Sequence, residues 1–211
     1  YVNLIMSGID KYHHGLEFGA EVKATKRLSV IGVAAIGEYR YSNRPNTTIA
    51  FDNGSRPDTT TTTYIKNFFI PQTPQTAATL GLKYNINFWY FNFNANFFDN
   101  NYADFNPERR SQLAIANLGP GDPLIREITQ QEKLKGGITL DASIGKSIRI
   151  QRKYFININL SVTNLLDNKD IQSGGYEQNR FDFETKDIGK FLPKYYNYFG
   201  RTFFLNVNFR I

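Results

Sequence analysis

Residues 88–98 read FWYFNFNANFF, from Phe88 to Phe98, and their alternation decides the fold. Asn92, Asn94 and Asn96 stand at every second position, each between apolar neighbours. A two-residue period belongs to a β-strand, whose side chains point to opposite faces in turn. In a soluble sheet the apolar face is the buried one and the amide face meets water. A transmembrane barrel reverses this: apolar residues point out to lipid and amides point into a wet lumen.

Six further stretches share the pattern. The first runs from His13 to Thr25, with Leu16, Phe18, Ala20, Val22 and Ala24 alternating with Glu17, Gly19, Glu21 and Lys23. A two-residue turn, Lys26-Arg27, leads to a second strand from Leu28 to Ser42, whose two faces are both apolar or small, so its register is open. The third, Thr76 to Tyr84, carries Ala78, Leu80, Leu82 and Tyr84 in phase, and Asn85-Ile86-Asn87 turns into the opening stretch. There Trp89, Phe91, Phe93, Ala95 and Phe97 share a face. The fifth sets Leu134, Gly136, Ile138, Leu140, Ala142 and Ile144 against Lys135, Thr139, Asp141 and Ser143. The sixth sets Tyr154, Ile156, Ile158, Leu160 and Val162 against Asn157, Asn159, Ser161 and Thr163. The last sets Phe203, Leu205, Val207, Phe209 and Ile211 against Asn206, Asn208 and Arg210.

The connections carry as much information as the strands. Turns at 26–27, 85–87 and 148–152 are short, whereas polar segments around 43–75, 103–131 and 167–195 are roughly 30 residues long, against a usual ~4–6. Short and long alternate strictly, which is the rule for an outer-membrane barrel with short periplasmic turns and long extracellular loops. The aromatics suggest two interfacial girdles: Tyr84, Phe88, Trp89, Tyr154 and Phe155 near the short turns, and Tyr39, Tyr41, Phe98, Tyr102, Tyr195, Tyr196, Tyr198 and Phe199 near the long loops. The pattern therefore predicts an all-β, antiparallel up-and-down transmembrane barrel. Asn92, Asn94, Asn96, Asn157, Asn159, Asn206 and Asn208 face its lumen, and Phe91, Phe93, Leu205, Val207 and Phe209 face lipid.

Composition agrees. Of 211 residues 41% are hydrophobic, and no apolar run approaches the ~18–20 residues of a membrane-spanning helix. There are 18 Phe and 13 Tyr but no Cys, which removes disulfides and thiolate metal sites. The net charge of +6 comes without a dense Lys/Arg block, so nucleic acid is not an expected partner. The chain begins at Tyr1 without a charged-then-apolar leader, and is expected to be a fragment or a processed product.

Four stretches in this order resemble the C-terminal part of a TonB-dependent outer-membrane receptor of the kind common in Bacteroidetes. YHHGLEFGAEVKATKRLSVIG, from Tyr12, resembles that family's strand-turn-strand with a Gly-x-Glu core. PQTAATLGLKYN, from Pro74, resembles a strand before a late periplasmic turn. LSVTNLLDNKDI, from Leu160, resembles the recurring segment one loop before the end, and YYNYFGRTFFLNVNFRI, from Tyr195, the closing strand. The resemblance implies a 22-stranded barrel with an internal plug. Residues 1–211 would supply about seven C-terminal strands of it, while the plug and the TonB-binding segment have no counterpart here. It further implies localisation to the outer membrane of a Gram-negative bacterium and import of a scarce nutrient. Siderophore, vitamin, glycan and peptide are all compatible substrates. The implied partners are outer-membrane lipid, the TonB complex through the plug, the outer-membrane assembly machinery and, as in glycan-importing relatives, a surface lipoprotein. Such receptors usually end in an aromatic residue, and this sequence departs from that with Phe209-Arg210-Ile211.

No catalytic, metal or cofactor site is expected. His13 and His14 are adjacent in a strand and point to opposite faces, so they cannot readily share an ion. Asp99, Asp104 and Asp122 lack the tight alternating spacing with Gly of a calcium loop. Glu17, Glu21 and Asp141 lack a nearby base or nucleophile for hydrolytic chemistry. NTT at Asn46 and NGS at Asn53 match a glycosylation sequon by chance in a bacterial chain, and DTTTTT, from Asp58, reads as a mobile loop tip. Tyr102, Arg109, Arg110, Tyr176 and Arg180 are candidate ligand contacts, because aromatics with Arg and amides suit sugars, peptides or anionic chelates. Two rival architectures remain: a soluble β-sandwich binding module, and a self-contained eight-stranded barrel of structural or adhesive role with Tyr1–Met6 as its eighth strand.

Overall fold

A computed structural model describes residues 2–52, 54, 57–151 and 153–210. Twelve strands are found among them: β1 (Val2–Ser7), β2 (Lys11–Lys23), β3 (Leu28–Tyr41), β4 (Asn46–Phe51), β5 (Thr59–Thr62), β6 (Thr76–Ile86), β7 (Trp89–Asp99), β8 (Gly137–Ile150), β9 (Tyr154–Thr163), β10 (Gln172–Tyr176), β11 (Lys194–Asn197) and β12 (Thr202–Arg210). A 3₁₀ turn (Glu108–Arg110) and a short helix, α1 (Pro123–Thr129), lie between β7 and β8. The seven long strands form one antiparallel sheet in the order β12-β9-β8-β7-β6-β3-β2. Its edges, β2 and β12, do not pair with each other among the described residues.

Register fixes both faces. Across the middle of the sheet Leu82 lies opposite Phe93, Phe93 opposite Ala142, Ala142 opposite Val162 and Val162 opposite Phe203. The neighbouring row runs Lys83, Asn92, Ser143, Ser161 and Phe204. One face is thus a continuous apolar field, and the other carries mostly amides, hydroxyls and glycines. The register of β3 follows from its neighbours, with Val30 between Val22 and Leu82 and Ser29 between Lys23 and Lys83.

Nothing covers the apolar face among the described residues. Leu16 is 82% exposed, Phe18 66%, Leu205 64% and Phe209 57%. The fully buried apolar side chains lie elsewhere. Ile65, Phe105 and Tyr41 form one cluster, with Met6, Phe68 and Ile70 against it, and Ala114, Ile128 and Phe181 form another. Both belong to the long connections, apart from Tyr41 at the last position of β3 and Met6 in β1.

Several expectations need correction. The long segments are not structureless, for they hold four strands, β4, β5, β10 and β11, and a helix. The Thr-rich stretch forms β5, which pairs with β4, while β1 pairs with the other edge of β4. The proposed eighth barrel strand is therefore not part of the seven-stranded sheet; its first residue, Tyr1, lies outside the described residues, as do Asn53, Arg152 and Ile211, which the pattern places outward. Strand β8 begins at Gly137, and Leu134 is buried in the connection before it. The first turn spans residues 24–27, where the Thr25 hydroxyl accepts from the backbone N–H groups of Arg27 and Leu28. The second is Asn87-Phe88, both with positive φ (48° and 64°), as a two-residue hairpin turn of the primed type requires. Phe88 is therefore a turn residue at the start of the opening stretch, and Gln151 and Lys153 lie in the third turn, between β8 and β9. The aromatic girdles are thinner than the sequence suggests. Tyr84, Trp89 and Tyr154 edge the apolar face, but Phe155 and Phe98 are on the amide side and Tyr41 is buried.

Candidate functional site: an amide face beneath a packed loop body

Because β7, β8, β9 and β12 are in register, Asn92, Asn94, Asn96, Asn157, Asn159, Asn206 and Asn208 fall on one face. Their side chains form cross-strand links. Asn92 Nδ2 donates to Ser143 Oγ at 3.0 Å, Asn96 Nδ2 donates to Asp141 Oδ2 at 2.8 Å, and Thr79 Oγ1 donates to Asn96 Oδ1 at 2.9 Å. Ser147 Oγ donates to Asn157 Oδ1 at 2.6 Å. Gly81 makes room for this network, since a Cβ there would come within 2.7 Å of Asn94 Oδ1. Phe91, Phe93, Leu205, Val207 and Phe209 occupy the opposite, exposed face.

Above the sheet the long connections lock together around one carboxylate. Glu177 is 4% exposed and accepts from both terminal nitrogens of Arg110, whose side chain is fully buried. It also lies 3.4 Å from Arg109 Nη1 and accepts the Asn106 backbone N–H at 2.8 Å. Burial lowers the Arg109 guanidinium pKa, with Glu177 acting in the opposite sense. Burial likewise raises Asp104 and Glu108 from their ordinary carboxylate values. A second tie joins Tyr195 Oη to Glu132 Oε1 at 2.6 Å, and burial together with that bond pushes the phenol up to about 12. Asp182 is held well below the usual range by the Lys190 ammonium and by donors from Thr185.

The candidate ligand contacts divide accordingly. Arg109 and Arg110 are engaged inside the loop body. Tyr102 stacks on Phe69 at 4.5 Å, with the Arg40 guanidinium 3.8 Å from the same ring centroid. Tyr176, 39% exposed and beside Tyr196, and the exposed Arg180 are the two that reach the surface. Reasoning from sequence missed Glu177, whose arginine partner is 67 residues away, so no local signal marks it. It also missed a cavity of about 340 Å³ where the amide face meets the loop body, lined by Asn96, Thr139, Asp141, Phe98, Tyr198 and Thr202.

His13 and His14 lie on opposite faces, against Tyr39 and against Glu38 at 3.1 Å respectively. Asp99 pairs with Lys133 at 3.3 Å, and Asp122 caps α1 by accepting the Leu124 N–H. Glu21 lies 3.5 Å from Lys83. Among the described residues no group of three or more His, Asp or Glu is placed to hold a metal ion.

No protein-family model matches the chain, and no curated protein matches it. Among solved structures it is similar to the ferric-catecholate import receptor Fiu from Escherichia coli K12 in its closed form, with 15% identity and a TM-score of 0.41. That similarity covers 93% of this chain and 27% of the receptor, so the chain spans about a quarter of the receptor's length.

Proposed function

We propose that the seven-stranded sheet is a section of the wall of a larger outer-membrane transport barrel, of the TonB-dependent receptor kind, that imports a scarce nutrient. The observation that carries this reading is the inversion of burial. The strands expose their apolar residues, and buried apolar residues sit in the connections. A soluble monomer rarely leaves an apolar field of this extent open. Acyl chains are the covering that suits it, and the amide face then lines water. Among the described residues both sheet edges are unpaired, which supports a wall that continues on both sides, since lipid cannot satisfy open strand edges. The motifs of β2–β3, β6, β9 and β12 supply the receptor likeness, and energy would enter through a plug and the TonB complex. A sandwich would need a second sheet over Phe18, Leu82 and Leu205, and the eight-stranded barrel would need β1 beside β2 or β12.

Protease protection tests the topology. In intact cells making the full-length protein, protease should cut within the segments 43–75, 103–131 and 167–195. The turns at 24–27, 87–88 and 151–153 should be cut only after the outer membrane is permeabilised. Cleavage after Lys26 or Arg27 in intact cells would refute the arrangement.

A further inference from the structure

Charge is distributed unevenly between the two ends of the sheet. Lys146, Arg149, Lys153 and Arg210 surround the β8–β9 turn, Lys83 lies near the β6–β7 turn, and three more cations fall within residues 23–27. Among the described residues these are eight of 23 lysines and arginines, against a single carboxylate, Glu21, of 19. The short-turn end thus carries seven net positive charges, and the other described residues, 15 cations against 18 carboxylates, carry three net negative. The net positive charge is therefore at the end opposite the loop body.

Two of these cations belong to the apolar side. Lys146 is opposite Trp89 and Ile158 on that face, with its ammonium 4.4 Å from the Trp89 ring centroid. The Lys153 ammonium is 5.2 Å from the ring of Tyr154, which edges the same face opposite Ile150. Arg149 and Arg210 turn the other way, both about Phe155 on the amide side, at 5.4 and 5.5 Å. Trp and Tyr at the border of an apolar band seat their rings at headgroup level. A lysine beside such a ring keeps its stem along apolar surface and its ammonium at the polar boundary.

We propose that Lys146 and Lys153, with Trp89 and Tyr154, form a rim that binds the headgroup phosphates of anionic glycerophospholipids in the leaflet at the short-turn end. The proposal rests on the membrane reading above and adds the lipid chemistry and the leaflet. Complementarity carries it: a net charge of seven confined to one rim is drawn to an anionic surface, and the ring-cation pairs sit where that surface meets acyl chains. Each lysine near such a surface contributes on the order of fivefold in binding. The attraction falls off over a Debye length, which added salt shortens.

The test uses the full-length protein reconstituted into nanodiscs of phosphatidylcholine, with and without phosphatidylglycerol. The lipids retained on gentle release are counted by native mass spectrometry. Wild type should enrich phosphatidylglycerol, and raised ionic strength should reduce that enrichment. The pair Lys146→Gln and Lys153→Gln should lower it roughly tenfold or more. Lys146→Arg with Lys153→Arg should keep it, as should Lys135→Gln with Lys169→Gln at the loop end. Equal enrichment in the glutamine pair, or salt-independent enrichment in wild type, overturns the rim. Insertion of wild type without enrichment also overturns it and leaves the barrel standing, pointing to an acidic protein as the rim's partner. Failure of every form to insert into either lipid instead overturns the membrane reading. If the glutamine pair alone fails to insert, the arginine pair and the salt dependence of wild type decide.

Discussion

Replacing Leu205 and Asn206 in turn by arginine separates the two faces of β12 with one side chain. Leu205 is 64% exposed, opposite Leu160 on the apolar face. It lies three residues from one end of β12 and five from the other, about 10 and 17 Å at the usual rise, which is near the middle of the apolar band. An arginine on the lipid face costs about 2–4 kcal/mol at the midplane. That corresponds to roughly 30- to 1,000-fold in the folding equilibrium. Asn206 points to the amide face opposite Asn159, whose Oδ1 is buried without a hydrogen-bond donor. An arginine there meets water and an acceptor. Leu205→Arg should therefore deplete the full-length protein from the outer-membrane fraction, and its urea midpoint in phospholipid vesicles should fall. Asn206→Arg should leave both close to wild type. Equal effects, or the reverse order, would mean that β12 is inside out or does not meet lipid.

Glu177→Gln should leave the Arg109 and Arg110 charges buried without a counter-charge, at a cost of about 3–5 kcal/mol; trypsin should then cut the loop body within residues 103–131 while the sheet resists, and an unchanged cleavage rate would contradict the buried ion pair. Phe88→Gly should relieve a left-handed backbone position that costs a bulky residue about 1–2 kcal/mol, raising the urea midpoint, whereas a lower midpoint would show that the 73%-exposed ring has a partner outside this chain, such as the membrane interface. The Tyr195 phenol, raised to about 12, contributes stability that is complete below the ordinary tyrosine value near 10 and is lost as pH climbs from there through about 12. Difference absorbance of wild type against Tyr195→Phe in the full-length protein should show that late titration, and a phenol ionising near 10 would remove the Glu132 tie.

The sheet was legible in the sequence because its period is two and each face has a uniform chemistry. Once Phe93 is placed, Phe91, Phe97, Asn92 and Asn96 follow. Strand β3 resisted for the same reason. Ile31 and Val33 on its amide side look no different from Val30 and Ala34 on the other, and only pairing with β2 and β6 decides between them. The loop body was not legible, because its stabilising contacts are long-range and polar. Thr59 to Thr63 read as a low-complexity tip, yet β5 pairs with β4 and Thr63 Oγ1 meets the buried Thr47 Oγ1 at 2.5 Å. Arg109 and Arg110 read as ligand contacts because nothing near them in sequence announces Glu177.

These two kinds of stabilisation respond to different surroundings. The loop body contains its own apolar clusters and a buried ionic centre, so its free energy comes from contacts inside the chain. The sheet has backbone ladders and an amide network, but most of its apolar area is exposed and gains nothing until something covers it. A chain built this way gives its sheet no large internal reason to persist in water, whereas the connections have one. Placing short turns at one end and thick, packed loops at the other follows from that division. On the proposed membrane reading, the cations on and near the short turns would lie where phosphates and water are within reach.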